Sequence, residues 1–181
     1  RFLNVRLLPI PHRIQISLPL AILRDGPGYV MRLLGGMGPF DGFDLNGKIK
    51  KKLDELKLVL PRRLVEISDR DMALRLFHYA DTGSTRRRLF ALSKCAAILA
   101  RLHNAGLVYG DISTNNAFIG KGSSSEVWLI DADNLRFELP NGGTTFYTPG
   151  YGAPEVVRGI DSSRAQTDCW AFSVMAFKIL V

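Results

Sequence analysis

The sequence has little cysteine. Cys95 and Cys169 are the whole supply in 181 residues, and each lies inside an apolar run with helical spacing. Two thiols so far apart have neither metal-site spacing nor the density of a disulfide scaffold, so a reducing, cytoplasmic setting is the expectation. Long apolar runs are missing as well. The longest, Cys169 to Val181, is too short for a bilayer and carries Lys178, so no membrane span is expected. No secretory leader, internal repeat or low-complexity tract is evident, and the chain reads as soluble.

What is present is enough apolar matter for a core, 46% of the residues, in a chain with one domain's worth of length. Lys and Arg number 24 against 17 Asp and Glu, a net charge of +7 concentrated in Lys48 to Lys52, Arg62-Arg63 and Arg86 to Arg88. That balance suits an anionic partner such as a nucleotide or an acidic protein, although most charge runs are solvated faces. Arg86 to Arg88 has no interleaved aromatic of the kind that stacks on bases, so a nucleic-acid role is not expected.

The first third alternates short β-like runs with breakers: Ile14 to Leu18 and Tyr29 to Leu34, punctuated by Pro9, Pro11, Pro19 and the turn Asp25-Gly26-Pro27-Gly28. Gly35-Gly36-Met37-Gly38-Pro39 breaks the chain, and helical periodicity follows from Asp44. Helices are expected over Gly47 to Leu58, Pro61 to Tyr79 and Thr85 to Asn104. Leu92, Ala96, Leu99 and Leu102 share a face of the third, Ser84 or Thr85 is placed to cap it, and Gly106 ends it. Strands at Ala117 to Ile119 and Val127 to Ile130 then flank the turn Gly120-Lys121-Gly122-Ser123, and a last helix begins near Gln166. Val181 stops inside an apolar run without a cap, so more chain is expected beyond it.

One constellation carries chemistry. Asp111 and Asn116 stand five positions apart before one hairpin strand, and Asp131 follows the partner strand. A hairpin brings such ends together, so two carboxylates and an amide converge. Hard oxygen donors of this kind suit a magnesium nucleotide, with phosphate and water completing the metal shell. Phosphoryl transfer needs a base for the attacking hydroxyl and ligands for the metal, and the spacing fits that division of labour. Either Asp111 or Asn116 alone reads as readily as a turn cap.

The run Leu102-His103-Asn104-Ala105-Gly106-Leu107-Val108-Tyr109-Gly110-Asp111 through Asn116, followed by Asp131, resembles the catalytic loop and metal segment of the protein kinase superfamily. Thr148-Pro149-Gly150-Tyr151-Gly152-Ala153-Pro154-Glu155 is similar to the segment that closes a kinase activation loop. Thr167-Asp168-Cys169-Trp170-Ala171-Phe172-Ser173 resembles the start of the buried helix that follows it. The resemblance implies an α+β, two-lobed fold: residues 1–34 as the end of the small β lobe and the hinge, and 35–181 as the mainly helical large lobe up to its buried helix. It implies ATP and Mg²⁺ as cofactors and a serine or threonine hydroxyl of a protein as substrate. Asp111 would orient or deprotonate that hydroxyl, with Ser113 and Asn116 beside it in the catalytic loop. Asn116 and Asp131 would hold the metal, and Asp168 would brace the loop from beneath. Met31, Arg32, Leu33 and Leu34 would meet adenine, above Phe118 and beside Ile130.

Departures from the family pattern bear on activity. Tyr109-Gly110 replaces the usual His-Arg, so a phosphate on the activation loop lacks its customary partner, and no common phospho-switch is expected at Thr144, Thr145 or Thr148. Ser113 replaces the usual Lys, removing a cation from the transferred phosphate. Asp131-Ala132-Asp133 replaces Asp-Phe-Gly: Ala132 cannot fill the ring's pocket, and Asp133 reads as a turn residue rather than an extra ligand. No Gly-rich loop, strand lysine or helix glutamate is found before Leu18, so these parts precede Arg1 in a longer protein or the domain is degenerate. The leading expectation is an atypical, microbial serine/threonine protein kinase-like domain. The alternatives are a pseudokinase that binds nucleotide without transfer and a small-molecule kinase of the aminoglycoside phosphotransferase type, which shares the Gly-Asp pair. Oligomeric state is not legible.

Overall fold

The computed structural model describes residues 5–26, 28–45, 50–51, 59–122, 124, 126–138 and 146–181. In chain order it has a hairpin of β1 (Pro19–Ile22) and β2 (Tyr29–Met31), then β3 (Met37–Pro39) and a 3-10 turn at Phe40–Phe43. Helices α1 (Arg62–Val65), α2 (Arg70–Asp81) and α3 (Ser84–Asn104) follow, then β4 (Leu107–Val108), β5 (Ala117–Gly120) and β6 (Val127–Leu129). A second 3-10 turn at Ala132–Asn134, β7 (Arg136–Phe137), α4 (Pro154–Val157) and α5 (Ala165–Leu180) complete the described part. The content is mixed α and β, compatible with the expected α+β class.

The core forms around α3. Ala91, Leu92, Cys95, Ile98, Leu99 and Leu102 recur at the spacing of one helical face and are all buried. That face packs on α5 and on β6. Each fully buried Leu or Ile contributes about 1.5–3 kcal/mol relative to exposure. Strands β5 and β6 alternate as their sequences require: Ala117, Ile119, Val127 and Leu129 point inward, while Phe118 and Trp128 stand half-buried on the other face. They pair antiparallel with Phe118 opposite Trp128, and β3 pairs on the far side of β5. Strands β4 and β7 pair as a second ladder, which brings the chain before the 109–116 loop alongside the chain after Asp131.

Several expectations are corrected. The β-like run expected at Ile14 to Leu18 is limited to one parallel bridge, Ile16 to Leu129, with Ser17 N–H on Leu129 C=O at 2.8 Å, while Ile14 and Ile16 are drawn into the main core and the first strand of the hairpin lies at Pro19–Ile22. Strand β2 stops at Met31 instead of reaching Leu34. The glycine-rich stretch 35–39 breaks the chain only at Gly36, whose φ is +70°, and Met37–Pro39 then adds a strand to β5. The helix expected over Pro61 to Tyr79 splits, because the Asp69 carboxylate accepts from Asp71 N–H and Met72 N–H and starts α2 afresh. Neither Ser84 nor Thr85 caps α3; Gly83, with φ +92°, stands at that cap without a side-chain bond. Gly106 does end it, at φ +69° with its N–H on His103 C=O. The helix expected over Gly47 to Leu58 lies, apart from Lys50 and Lys51, outside the described residues, as do Ser123, Thr144 and Thr145.

Arg88 overturns the solvated reading of its cluster. Its side chain is buried, with Nε donating to Ile179 C=O at 2.8 Å and Nη2 to Phe43 C=O at 2.8 Å and Thr82 Oγ1 at 3.0 Å. Nη1 donates to Tyr79 C=O at 3.3 Å and Ser84 C=O at 3.2 Å, and the guanidinium lies 4.1 Å from the Tyr79 ring centroid. No carboxylate faces it among the described residues; carbonyl dipoles and ring faces carry the charge. One side chain thus ties the Phe40–Phe43 turn, α2, α3 and the end of α5 together. Arg88→Met keeps the stem and strips the donors, and urea unfolding should register a loss of about 3 kcal/mol.

His78, buried in α2, has its pKa lowered first by burial and then by the Arg88 charge. The fold accepts the neutral ring, so the unfolded chain takes up the proton first as pH falls. Stability should therefore be full above the unfolded value of 6.5 and decline as pH drops toward the lowered folded value. Thermal unfolding of a His78→Gln variant across that range should show a shallower decline than the parent.

Candidate active site

The loop 109–116 runs between β4 and β5 and takes its shape from a residue far along the chain. Asp168 is buried in the first turn of α5; its Oδ2 accepts Tyr109 N–H at 2.8 Å and its Oδ1 accepts Gly110 N–H at 2.8 Å. His103 Nε2, at the end of α3, lies 3.0 Å from the same Oδ2. Gly110 has φ +81°, a left-handed conformation in which a side chain is strained, and an added Cβ would lie 3.4 Å from Asn134 C=O.

Asp111 and Asn116 come together as the sequence suggests. Asn116 Nδ2 donates to the Asp111 carboxylate at 3.0 Å and to its backbone C=O at 2.9 Å. The other carboxylate oxygen accepts the Thr148 hydroxyl at 2.7 Å. Thr114 and Tyr151 join the same two segments a second time, with the Tyr151 hydroxyl 2.8 Å from Thr114 Oγ1 and accepting Thr114 N–H at 3.3 Å. A cavity of about 20 Å³ lies beside Asp111, bordered by Gly110, Thr148, Tyr151 and Gly152; it has room for one water. Gly152 admits no side chain, since a Cβ would sit 2.6 Å from Tyr147 Cδ2.

Asp131 follows β6 with φ +58°. Burial pushes its pKa up, and the negative charges of Asp133 and Asp111 push the same way. Crowded carboxylates of this kind are relieved by a cation. Among the described residues no three His, Cys, Asp or Glu side chains gather closely enough to hold a metal by themselves. A cation here would draw on Asp131, the amide oxygen of Asn116 and oxygens of a bound phosphate, a donor set that fits Mg²⁺ and its preference for one or two carboxylates.

Ser113 is the site residue that stands apart. It is 1% exposed, and its hydroxyl is enclosed with no partner among the described residues, so it is not presented at the mouth beside Asp111. Asp133 makes a side-chain hydrogen bond with Tyr29, whose pKa is pushed to about 12 by burial first and by Asp133 next. Of the expected base-contacting residues, Met31 is half-buried in β2 and Leu33 is exposed. Arg32 C=O accepts the Ser17 hydroxyl at 3.2 Å, and its guanidinium lies 5.2 Å from the Trp128 ring centroid. Trp128 sits across from Phe118, so it links the 31–34 segment to that floor residue, and Ile130 follows two positions on. Sequence reasoning missed Trp128, although its two-residue offset from Ile130 on a strand was available. It also did not foresee the hydroxyl partners of the tyrosines 29 and 109, which lie far away in sequence.

About half of the chain has local similarity to serine/threonine protein kinases. It is 32% identical over 87 residues to "Serine/threonine-protein kinase kin-29" of Caenorhabditis briggsae, a match that covers 47% of this chain and 10% of that protein. It is 28% identical over 102 residues to "Serine/threonine-protein kinase pkn2" of Myxococcus xanthus, covering 52% of this chain and 12% of that one. The matches thus span about a tenth of the length of these curated relatives. No family model matches the chain.

Asp168 makes the sharpest prediction for the site. Asp168→Ala would leave two buried N–H groups without acceptors, and chemical unfolding should show a loss of roughly 3 kcal/mol. Asp168→Asn keeps one oxygen acceptor and should lose less.

Proposed function

We propose that this chain is part of an ATP- and Mg²⁺-dependent phosphotransferase that acts on serine or threonine hydroxyls of a protein. On this reading residues 1–34 are the end of a small lobe with its hinge, residues 35–181 belong to the large lobe, and the setting is cytoplasmic. The observation that carries the proposal is the Asp111 carboxylate. Asn116 orients it on one side, and on the other it accepts a hydrogen bond from an aliphatic hydroxyl, that of Thr148, at 2.7 Å. A substrate hydroxyl presented in the same way is aligned and has its proton acceptor in place. Its oxygen bonds to the γ-phosphorus as the bond to the β,γ-bridging oxygen breaks, ADP leaves, and the proton passes to Asp111. Asn116 and Asp131 would hold Mg²⁺, which when bound neutralises charge on the phosphates. The local similarity to serine/threonine protein kinases supports the reading, as does the Thr148 to Glu155 segment beside Asp111, which small-molecule kinases would not need.

One observation favours a second reading, nucleotide binding without transfer. Ser113 stands where the family's phosphate-directed lysine would be, and its enclosed hydroxyl supplies no charge there. Transfer of labelled γ-phosphate separates the two. With full-length protein, Mg-ATP and a generic basic protein, Asp111→Asn should reduce incorporation by about 10²–10⁴-fold while nucleotide binding persists. Binding without incorporation in the parent would establish the second reading, and labelling of a sugar or aminoglycoside alone would establish a small-molecule kinase.

A further inference from the structure

One residue, Ile130, joins the two groups proposed to hold the metal. Its N–H donates to Asn116 C=O at 2.9 Å, and its C=O accepts the Tyr109 hydroxyl. Both polar groups of Ile130 are therefore tied to the 109–116 loop, with Asn116 at one end of the tie and Asp131 one peptide further on. Asp131 holds a left-handed φ of +58°, a conformation that residues with a side chain adopt uncommonly. Such a peptide persists only when its surroundings hold it.

Tyr109 is well placed to do so. It is fully buried, and its own N–H is fixed by Asp168 at 2.8 Å. Ala132 is buried as well but has no ring to pack against the loop. The segment 130–133 is thus gripped by polar contacts: Tyr109 on the Ile130 carbonyl, Asn116 on the Ile130 amide and, from the hairpin, Tyr29 on Asp133.

We infer that Tyr109 is a positioning residue whose hydroxyl, by holding the Ile130 carbonyl, aims the Asp131 carboxylate at a divalent cation. This deepens the proposed function and rests on it. Tyr109 touches neither metal nor nucleotide; it acts through one peptide plane, as outer-shell groups act on ligating carboxylates.

The test is ADP binding to the full-length protein and its Y109F variant by calorimetry, in EDTA and across a Mg²⁺ titration, with folding checked by circular dichroism. Y109F removes one oxygen and keeps the ring. Affinity in EDTA should be unchanged, while half-saturating Mg²⁺ should rise roughly ten- to a hundredfold. Unchanged Mg²⁺ dependence, or equal weakening with and without metal, would overturn the inference and leave the proposed function standing. A parent whose ADP binding gains nothing from Mg²⁺ would overturn both. Should Y109F fail to fold, Y109H, which retains a ring donor, is compared with the donor-free Y109M. A stronger Mg²⁺ response in Y109H supports the role, and equal responses, or loss of folding in both, refute it.

Discussion

The Asp168 carboxylate is the constraint on which the rest of the site depends. It is buried in the first turn of α5 and accepts two successive backbone N–H groups, so the loop can thread past it in only one way. A buried carboxylate without donors is costly, and buried amides without an acceptor are costly too, so each removes the other's penalty. The arrangement also explains Gly110. To point consecutive amides at one carboxylate the chain turns through φ +81°, and glycine adopts that without strain.

From this anchor the remaining contacts spread in two directions. Toward the 146–152 segment, Asp111 reaches Thr148 and Thr114 reaches Tyr151, so the loop and that segment share two hydrogen-bonded crossings. Toward β6, Asn116 and Tyr109 hold Ile130 and hence the peptide before Asp131. The loop that carries Asp111 and Asn116 is thereby held beside the segment that carries Asp131, although the like charges of Asp111 and Asp131 resist it. Burial first, and then the negative charges of Asp133 and Asp111, raise the pKa of Asp131. A bound cation would turn the same crowding into affinity.

Behind the site, Arg88 does for the helices what Asp168 does for the loop. A buried guanidinium surrounded by carbonyls and aromatic faces ties together elements whose apolar contacts alone would allow them to slide. Both anchors are buried groups held largely by the backbone, Arg88 by carbonyls with no carboxylate facing it among the described residues, and Asp168 by two amides beside the His103 ring. Core packing around Leu92, Leu99 and Met175 supplies stability, while these two groups supply register.

Much of this was legible in the residues. The Asp111, Asn116 and Asp131 spacing, the β5–β6 hairpin and the long helix ending at Gly106 follow from local pattern, whereas a bracing role for Asp168 was only what the resemblance to the protein kinase superfamily implied. Strand alternation and helical periodicity are short-range signals, so they survive in sequence alone. The Ile14 to Leu18 run shrinks to one bridge, Ile16 to Leu129, because Ile14 and Ile16 answer to a core assembled from residues a hundred positions later, which no local window contains. Arg88 read as one of three solvated cations because burial is decided by what packs around a residue. Ser113 looked like a member of the site by its position next to Asp111, yet the turn of the loop encloses its hydroxyl. Sequence by itself determined which residue types stand at which spacing and in what order along the chain, because type and spacing are local. Only the tertiary structure decided which of them meet, since hydrogen-bond partners such as Tyr109 and Ile130 are chosen by the folded path of the chain.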